Sequence, residues 1–364
     1  MVFYILEFMR KHNFNAGPAI LPASALQAAS NAVLELDGIG MSILEVSHRS
    51  KEFEAILDEA KKLLREILSI PNDYHILFLQ GGASTQFAMV PYNLLEDDKK
   101  AAYLETGHWA KKANEEAMMF GNVEIVASSA DKNFTYVPKN YTIPKDAVYF
   151  HITSNNTIYG TQMHNFPQSP VPLAADMSSD FLSRRIDVPK FSLIYAGAQK
   201  NFGPAGVTLV IIKDSMLGKV KRKIPTMLNY KTHTENNSMY NTPPCFAIFA
   251  ALHTLKWIKS TGGVSVIEKS NDEKAKRLYD EIDRNPLFKG TCVKEDRSKM
   301  NVTFVMQKPE LEPEFLKTSE KAGMVGLKGH RSVGGFRASI YNALPIESVD
   351  ALVGLMREFA VKHA

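Results

Sequence analysis

The sequence predicts an α/β fold, with a large domain built on a mostly parallel central sheet and a smaller C-terminal α+β domain. Two observations carry this. Between residues 74 and 213, short apolar runs alternate with helical or loop stretches, the pattern of strands joined by crossovers. A helix over 245–259 then ends at Ser260-Thr261-Gly262-Gly263, where glycine stops the helix and frees the chain to turn. A length of 364 residues suits two domains of roughly 150 residues or more each.

Taken in order, residues 22–36 read as a helix with Pro22 near its first turn, where a missing N–H costs nothing. Residues 51–68 read as a second helix. Phe53, Ile56, Leu57, Ala60, Leu63, Leu64, Ile67 and Leu68 recur at helical spacing, which makes one face apolar. After Pro71 the period changes, and YHILFL (74–79) reads as a buried strand leading straight into GGAS and another helical stretch. Further strands are expected at AAYLE, VEIVAS, AVYFHIT, VPLAAD, SLIYAG and VTLVII. Past Gly263 the order is helix (264–283), strand (301–306), helix (312–322), strand (335–341) and helix (346–360).

The apolar fraction is 45% and the charged fraction 23%, which excludes disordered, collagen-like and coiled-coil chains. A net charge of +4, dispersed along the chain, does not suggest a nucleic-acid partner. The two cysteines, Cys245 and Cys292, form no CxxC, so neither a zinc site nor a redox motif is expected, and no other metal is called for. The start MVFYILEFMRKH has its basic residues after a short apolar run, the reverse of a secretion signal, and no run is long enough to span a membrane. A cytoplasmic protein is expected.

Five segments can carry chemistry. In SLIYAGAQKNFGPAGVTLVIIKD (192–214) two apolar strands flank Lys200. A desolvated lysine has a depressed pKa, and its neutral amine can form a Schiff base; a surface lysine in a hairpin loop fits the same letters. In VPLAADMSSD, Asp176 ends an apolar strand at the sheet edge where open α/β folds bind ligands. It could pair with a protonated ring nitrogen or cap a helix. Gly81-Gly82-Ala83-Ser84-Thr85, between strand and helix, suits an anion or an ordinary turn. It matches neither a dinucleotide fingerprint nor a P-loop. Trp109, after Thr106-Gly107-His108, could stack on a planar cofactor or cover a helix end. Finally Ser47-His48-Arg49-Ser50 and Gly329-His330-Arg331 through Arg337 offer planar donors for a substrate with several acidic groups, or plain surface charge.

Together these segments resemble the phosphoserine aminotransferase family, class-V aminotransferases of pyridoxal-phosphate fold type I. The resembling runs are NFNAGPAILP (13–22), EVSHRS (45–50), FLQGGASTQFAMVPYNLL (78–95), TGHWAKKA (106–113), SNNTIYGTQ (154–162), AADMSSDFLSR (174–184), YAGAQKNFGPAGVT (195–208), YNTPPCFAIF (240–249) and GLKGHRSVGGFRASIYNA (326–343). The resemblance implies pyridoxal 5'-phosphate as cofactor, bonded to Lys200 as a Schiff base, with Asp176 at the ring nitrogen and Trp109 stacked on the ring. Ala83, Ser84 and Gln199 would hold its phosphate, and Thr157 would sit near the ring hydroxyl. Asn241 and Thr242 would reach that phosphate from a neighbouring subunit, so a homodimer with composite sites is implied. Arg49 and Arg337 would bind substrate carboxylate. His48, His330 and Arg331 would bind the phosphate of phosphoserine, or the side-chain carboxylate of glutamate.

The implied reaction exchanges an amino group between phosphoserine and 2-oxoglutarate, with 4-phosphohydroxy-L-threonine as a further candidate substrate. The implied division is an extension over 1–12, a large cofactor domain over 13–260 whose N-terminal segment is free to pack on the small domain, and the small domain over 261–364. Asn156 departs from the glutamate common at that position in the family. A cysteine desulfurase of the same fold would need a reactive cysteine on a flexible loop, and neither cysteine is so placed.

Overall fold

The computed structural model describes residues 10–363. The first half of the chain runs β1 (His12–Asn13), α1 (Ala23–Leu34), α2 (Lys51–Leu68), β2 (Tyr74–Leu79), α3 (Gly82–Leu94), β3 (Lys100–Glu105), α4 (His108–Ala117) and β4 (Asn122–Ser128). It continues through β5 (Phe150–Thr153), β6 (Asn155–Asn156), β7 (Thr161–Gln162), β8 (Leu173–Asp176), β9 (Leu193–Gly197), β10 (Thr208–Lys213), α5 (Tyr230–Glu235) and α6 (Cys245–Ser260). The remainder is α7 (Val264–Arg284), β11 (Phe288–Gly290), β12 (Asn301–Met306), α8 (Glu312–Lys321), β13 (Met324–Val325), β14 (Phe336–Ser339) and α9 (Ile346–Lys362).

Seven strands form one sheet in the order β2-β10-β9-β8-β5-β3-β4. Strand β10 runs antiparallel to both neighbours, while β9, β8, β5, β3 and β4 pair in parallel. The fold is therefore α/β with a mixed, mostly parallel sheet. Over β2, β10, β9, β8, β5 and β3 both faces are covered, so these strands are largely continuous apolar runs, whereas the edge strand β4 is half-exposed. One face packs on α2 and α6 through Phe53, Leu57, Leu64, Ile248, Leu252 and Leu255. The other packs on α3 and α4 through Phe87, Val90, Ala113 and Ala117.

Helix α2 follows its amphipathic pattern: Ser50 accepts a hydrogen bond from the Phe53 N–H at its start, and Ser69 takes the left-handed conformation at its end. A separate core joins α7, α8 and α9 to a three-stranded sheet, β11-β12-β14, around Leu278, Phe304, Phe315, Phe336 and Leu352. Strand β1 pairs with β13 beside that core, so His12 and Asn13 lie against Met324 and Val325. Of the segment expected as an N-terminal extension, residues 1–9 lie outside the described residues, whereas His12 is a strand residue whose ring also bonds the Ser348 hydroxyl. Among the described residues, no helix is long and apolar enough to cross a membrane.

Candidate active site

Parallel strands present their C-terminal ends along one edge, and the loops leaving β5, β8 and β9 meet there. In register, Thr153 faces Asp176 and Asp176 faces Tyr195. The hairpin β6–β7 follows β5 and brings Thr157 over this edge. The turn after β9 carries Lys200.

The Lys200 Nζ donates to the Thr157 hydroxyl at 2.8 Å and lies 5.8 Å from the centre of the Trp109 ring. Burial pulls its pKa down to about 8, against the pull of Asp176 in the other direction. The turn holding it is tightly built. Ala198 N–H bonds the Val207 carbonyl, and a Cβ on Gly203 would sit 3.1 Å from Ala251 on α6. Asn201 donates to the Phe181 carbonyl and accepts from the Asn342 N–H at 2.9 Å. The neighbouring Gln199 gives its carbonyl to the Ala19 N–H, and Gly17 lies so close that a Cβ there would touch the Lys200 side chain at 3.3 Å.

Asp176 is 4% exposed. It accepts from the Ser178 N–H at 2.9 Å and forms no ion pair among the described residues. Burial raises its pKa, while Lys200 and Ser178 oppose the rise. A buried carboxylate in that state lacks a cationic partner, which a protonated ring nitrogen would supply.

Trp109 stands in the first turn of α4 and packs with Phe87 and Ala83 on the same core face as Tyr195. Gly107 must lack a side chain, because a Cβ there would lie 2.5 Å from the Asn156 Oδ1. Asn156 is buried and its amide donates to the Thr161 hydroxyl, so this closed spot holds a neutral side chain. Ala83 and Ser84 occupy the first turn of α3, where unpaired N–H groups point out of the helix and Ser84 is exposed. Gly81 adopts φ 88°, and a Cβ there would collide with Thr85.

On the far wall Arg337 of β14 donates to the Thr157 carbonyl at 3.2 Å, tying the small sheet to the lysine's hydroxyl partner. His330 and Arg331 lie in the loop before β14, and the His330 ring is 6.5 Å from that of His108. His108, within TGHWAKKA, has no role implied by the resemblance; a third imidazole beside the tryptophan is the signal that marks it in the sequence.

Two pairs stand apart. His48 and Arg49 lie before α2, bonded to each other at 3.4 Å. Thr242 gives its carbonyl to Gln80, and Asn241 lines a cavity of about 320 Å³ with Gly81 and Thr85. Among the described residues, no hydrogen bond joins either pair to Lys200, Trp109 or Arg337. Cys292 is buried, Cys245 is half-buried, and burial raises both thiol pKa values, so neither is a reactive thiolate.

The model of the "Aminotransferase class-V" family matches residues 11–352. A phosphoserine aminotransferase of Bacteroides fragilis is 59% identical over 98% of this chain and 100% of its own length. The solved phosphoserine aminotransferase of Bacillus circulans subsp. alkalophilus is 48% identical, covers 98% of this chain and 99% of its own, and superimposes with a TM-score of 0.95. The PLP-bound phosphoserine aminotransferase of Trichomonas vaginalis is 42% identical over 96% of this chain and 100% of its own, with a TM-score of 0.92. With this fold and this lysine, acid and indole at the edge of its sheet, the chain belongs to the phosphoserine aminotransferase family of class-V aminotransferases.

Proposed function

We propose that the enzyme transfers an amino group between O-phospho-L-serine and 2-oxoglutarate, giving 3-phosphohydroxypyruvate and L-glutamate, and runs toward phosphoserine in L-serine biosynthesis. The observation that carries this reading is the convergence of the desolvated Lys200 amine, Trp109 and the unpaired buried Asp176 beside a wall of His330, Arg331 and Arg337. Pyridoxal 5'-phosphate fits these residues. The acid lacks a cationic partner, the amine lies over an indole face, and the α3 N-terminus offers N–H groups to a phosphate. When bound, the cofactor supplies an electron sink for the pair left on the substrate Cα.

The chain's own groups do the rest. With the cofactor bound, Lys200, placed by the Thr157 hydroxyl, would take up and give back the Cα proton. Asp176 would hold the ring nitrogen in its protonated state, and Trp109 would stack on the ring. Ala83, Ser84 and Gln199 hold the cofactor phosphate, and Thr157 also serves the ring hydroxyl. Arg337 and Arg49 bind carboxylate, while His48, His330 and Arg331 take the distal phosphate or the γ-carboxylate of glutamate. Both anions present several oxygens to a fork of N–H groups, so one pocket serves both half-reactions. The same pocket would admit 4-phosphohydroxy-L-threonine, which links the enzyme to pyridoxine biosynthesis.

Asn241 and Thr242 serve the cofactor phosphate of a second copy of the chain, which makes the enzyme a homodimer with composite sites. Exposed Met41 and Leu44 beside His48, and exposed Tyr240 beside Asn241, support a face that another subunit covers. The division into a large domain over 13–260 and a small domain over 261–364 belongs to the same reading, as does a cytoplasmic setting with two unpaired thiols. The test is a coupled assay with phosphoserine and 2-oxoglutarate against plain serine and alanine. Turnover of phosphoserine alone is expected, and equal turnover of alanine would overturn the assignment.

A further inference from the structure

We propose that His108 is a specificity-determining residue: it completes the pocket for the substrate's distal anion and favours a doubly charged phosphate ester over a singly charged carboxylate. This rests on the reading above, in which that anion lies at His330 and Arg331.

His108 is the first residue of α4 and sits edge-on to Trp109, with ring centres 5.0 Å apart. Its ring is 6.5 Å from His330, close enough for one tetrahedral anion to touch both. Among the described residues its ring makes no hydrogen bond and no ion pair, unlike His75, His151, His164 and His233, whose rings are engaged. The charges that face it are one-sided. Lys111, Lys112 and Glu115 come from its own helix, and Arg331 with His330 from the loop before β14. The single carboxylate, Glu115, is held by Lys112 at 2.8 Å. Arg337 faces His330 from β14. No carboxylate among the described residues forms an ion pair with His108, His330, Arg331 or Arg337; Arg337 donates to the neutral Thr157 carbonyl and His330 bonds Ser332, so the group lacks an anionic partner.

Burial, followed by neighbouring cations, holds both imidazoles below their ordinary pKa. They are mainly neutral at pH 7 before anything binds. A phosphate monoester carries about −1.5 to −2 at that pH, and a carboxylate carries one charge. The second charge raises the imidazole pKa and returns a proton to the pocket, turning a neutral donor into a charged one. Binding of a phosphate therefore takes up protons, and binding of glutamate does so far less.

The experiment uses the cofactor-loaded enzyme and its His108→Asn variant, with His108→Gln as a second variant should the first lose its native circular dichroism. The variant is expected to raise KM for phosphoserine about tenfold, to leave KM for glutamate within about twofold, and to flatten the pH dependence of their ratio between pH 6 and 8.5. Calorimetry with inorganic phosphate, run in two buffers of different ionisation enthalpy, should show less proton uptake in the variant. An equal change for both substrates, no change for either, or unaltered proton uptake would overturn the role of His108. A wild type inactive on phosphoserine would instead overturn the substrate reading, and the calorimetry with inorganic phosphate would still decide whether His108 senses the anion's charge.

Discussion

An amine that must attack a carbonyl has to be neutral for part of its time, and Lys200 meets that condition through burial. With its pKa pulled down to about 8, its neutral fraction at pH 7 is far larger than that of a solvated lysine. In the cofactor-free protein the rate of cofactor capture, followed by absorbance, should rise roughly tenfold per pH unit below 8 and level off above it. Lys200→Ala should lower transamination by roughly 10²–10⁴-fold or more while circular dichroism stays native. Activity within tenfold of wild type would refute its role as base. Lys200, Asp176 and Trp109 were legible in the sequence as candidates beside apolar strands, each open to an ordinary structural role until nine segments together carried the family resemblance. The Asn201–Asn342 contact was not, because 141 residues separate the partners and neither asparagine stands out locally.

Among the elements, the helices were legible from their apolar spacing, and α2 follows its expected range from Lys51 to Leu68. Strands β1, β6, β7 and β13 were not, since two residues carry no period. The reversal of β10 was also hidden, because its buried run reads the same in either direction.

The start of α4 depends on Gly107. Gly107→Ala should push Asn156 aside and shift the turn bearing Trp109, lowering cofactor affinity about tenfold or more in an absorbance titration. Helix α7 carries a different dependence. Lys274 is fully buried and donates to the carbonyls of Ile340, Tyr341 and Leu344, and burial lowers its pKa to about 7. Between pH 7 and about 10 the unfolded chain holds a proton that the folded one sheds, so this group makes stability rise with pH. Urea melts at pH 7 and 9.5 should show wild type gaining on Lys274→Met by up to about 1.4 kcal/mol per pH unit. Parallel curves would show that the lysine stays charged against its three carbonyls.

For the molecule as a whole, the proposed dimer makes a prediction that no single chain can satisfy. Lys200→Ala and the double variant Asn241→Ala, Thr242→Ala should each be nearly inactive. Mixed and re-equilibrated, half the dimers become hybrids with one intact site, restoring about a quarter of wild-type activity. No recovery, with hybrids demonstrated by native mass spectrometry, would place Asn241 and Thr242 in their own chain's site. The sequence alone implies a dimer only through resemblance, because a pattern of apolar residues does not say which of them face a second copy.

Strand β1 pairs with β13, the Tyr341 hydroxyl donates to the Ala16 carbonyl, and Gly17 lies against the Lys200 side chain. Residues 12–16 thus close against partners more than three hundred positions downstream, and Gly17 against the lysine turn in between. Because synthesis runs from N- to C-terminus, this segment emerges long before those partners, and its docking is a late, long-range step of folding.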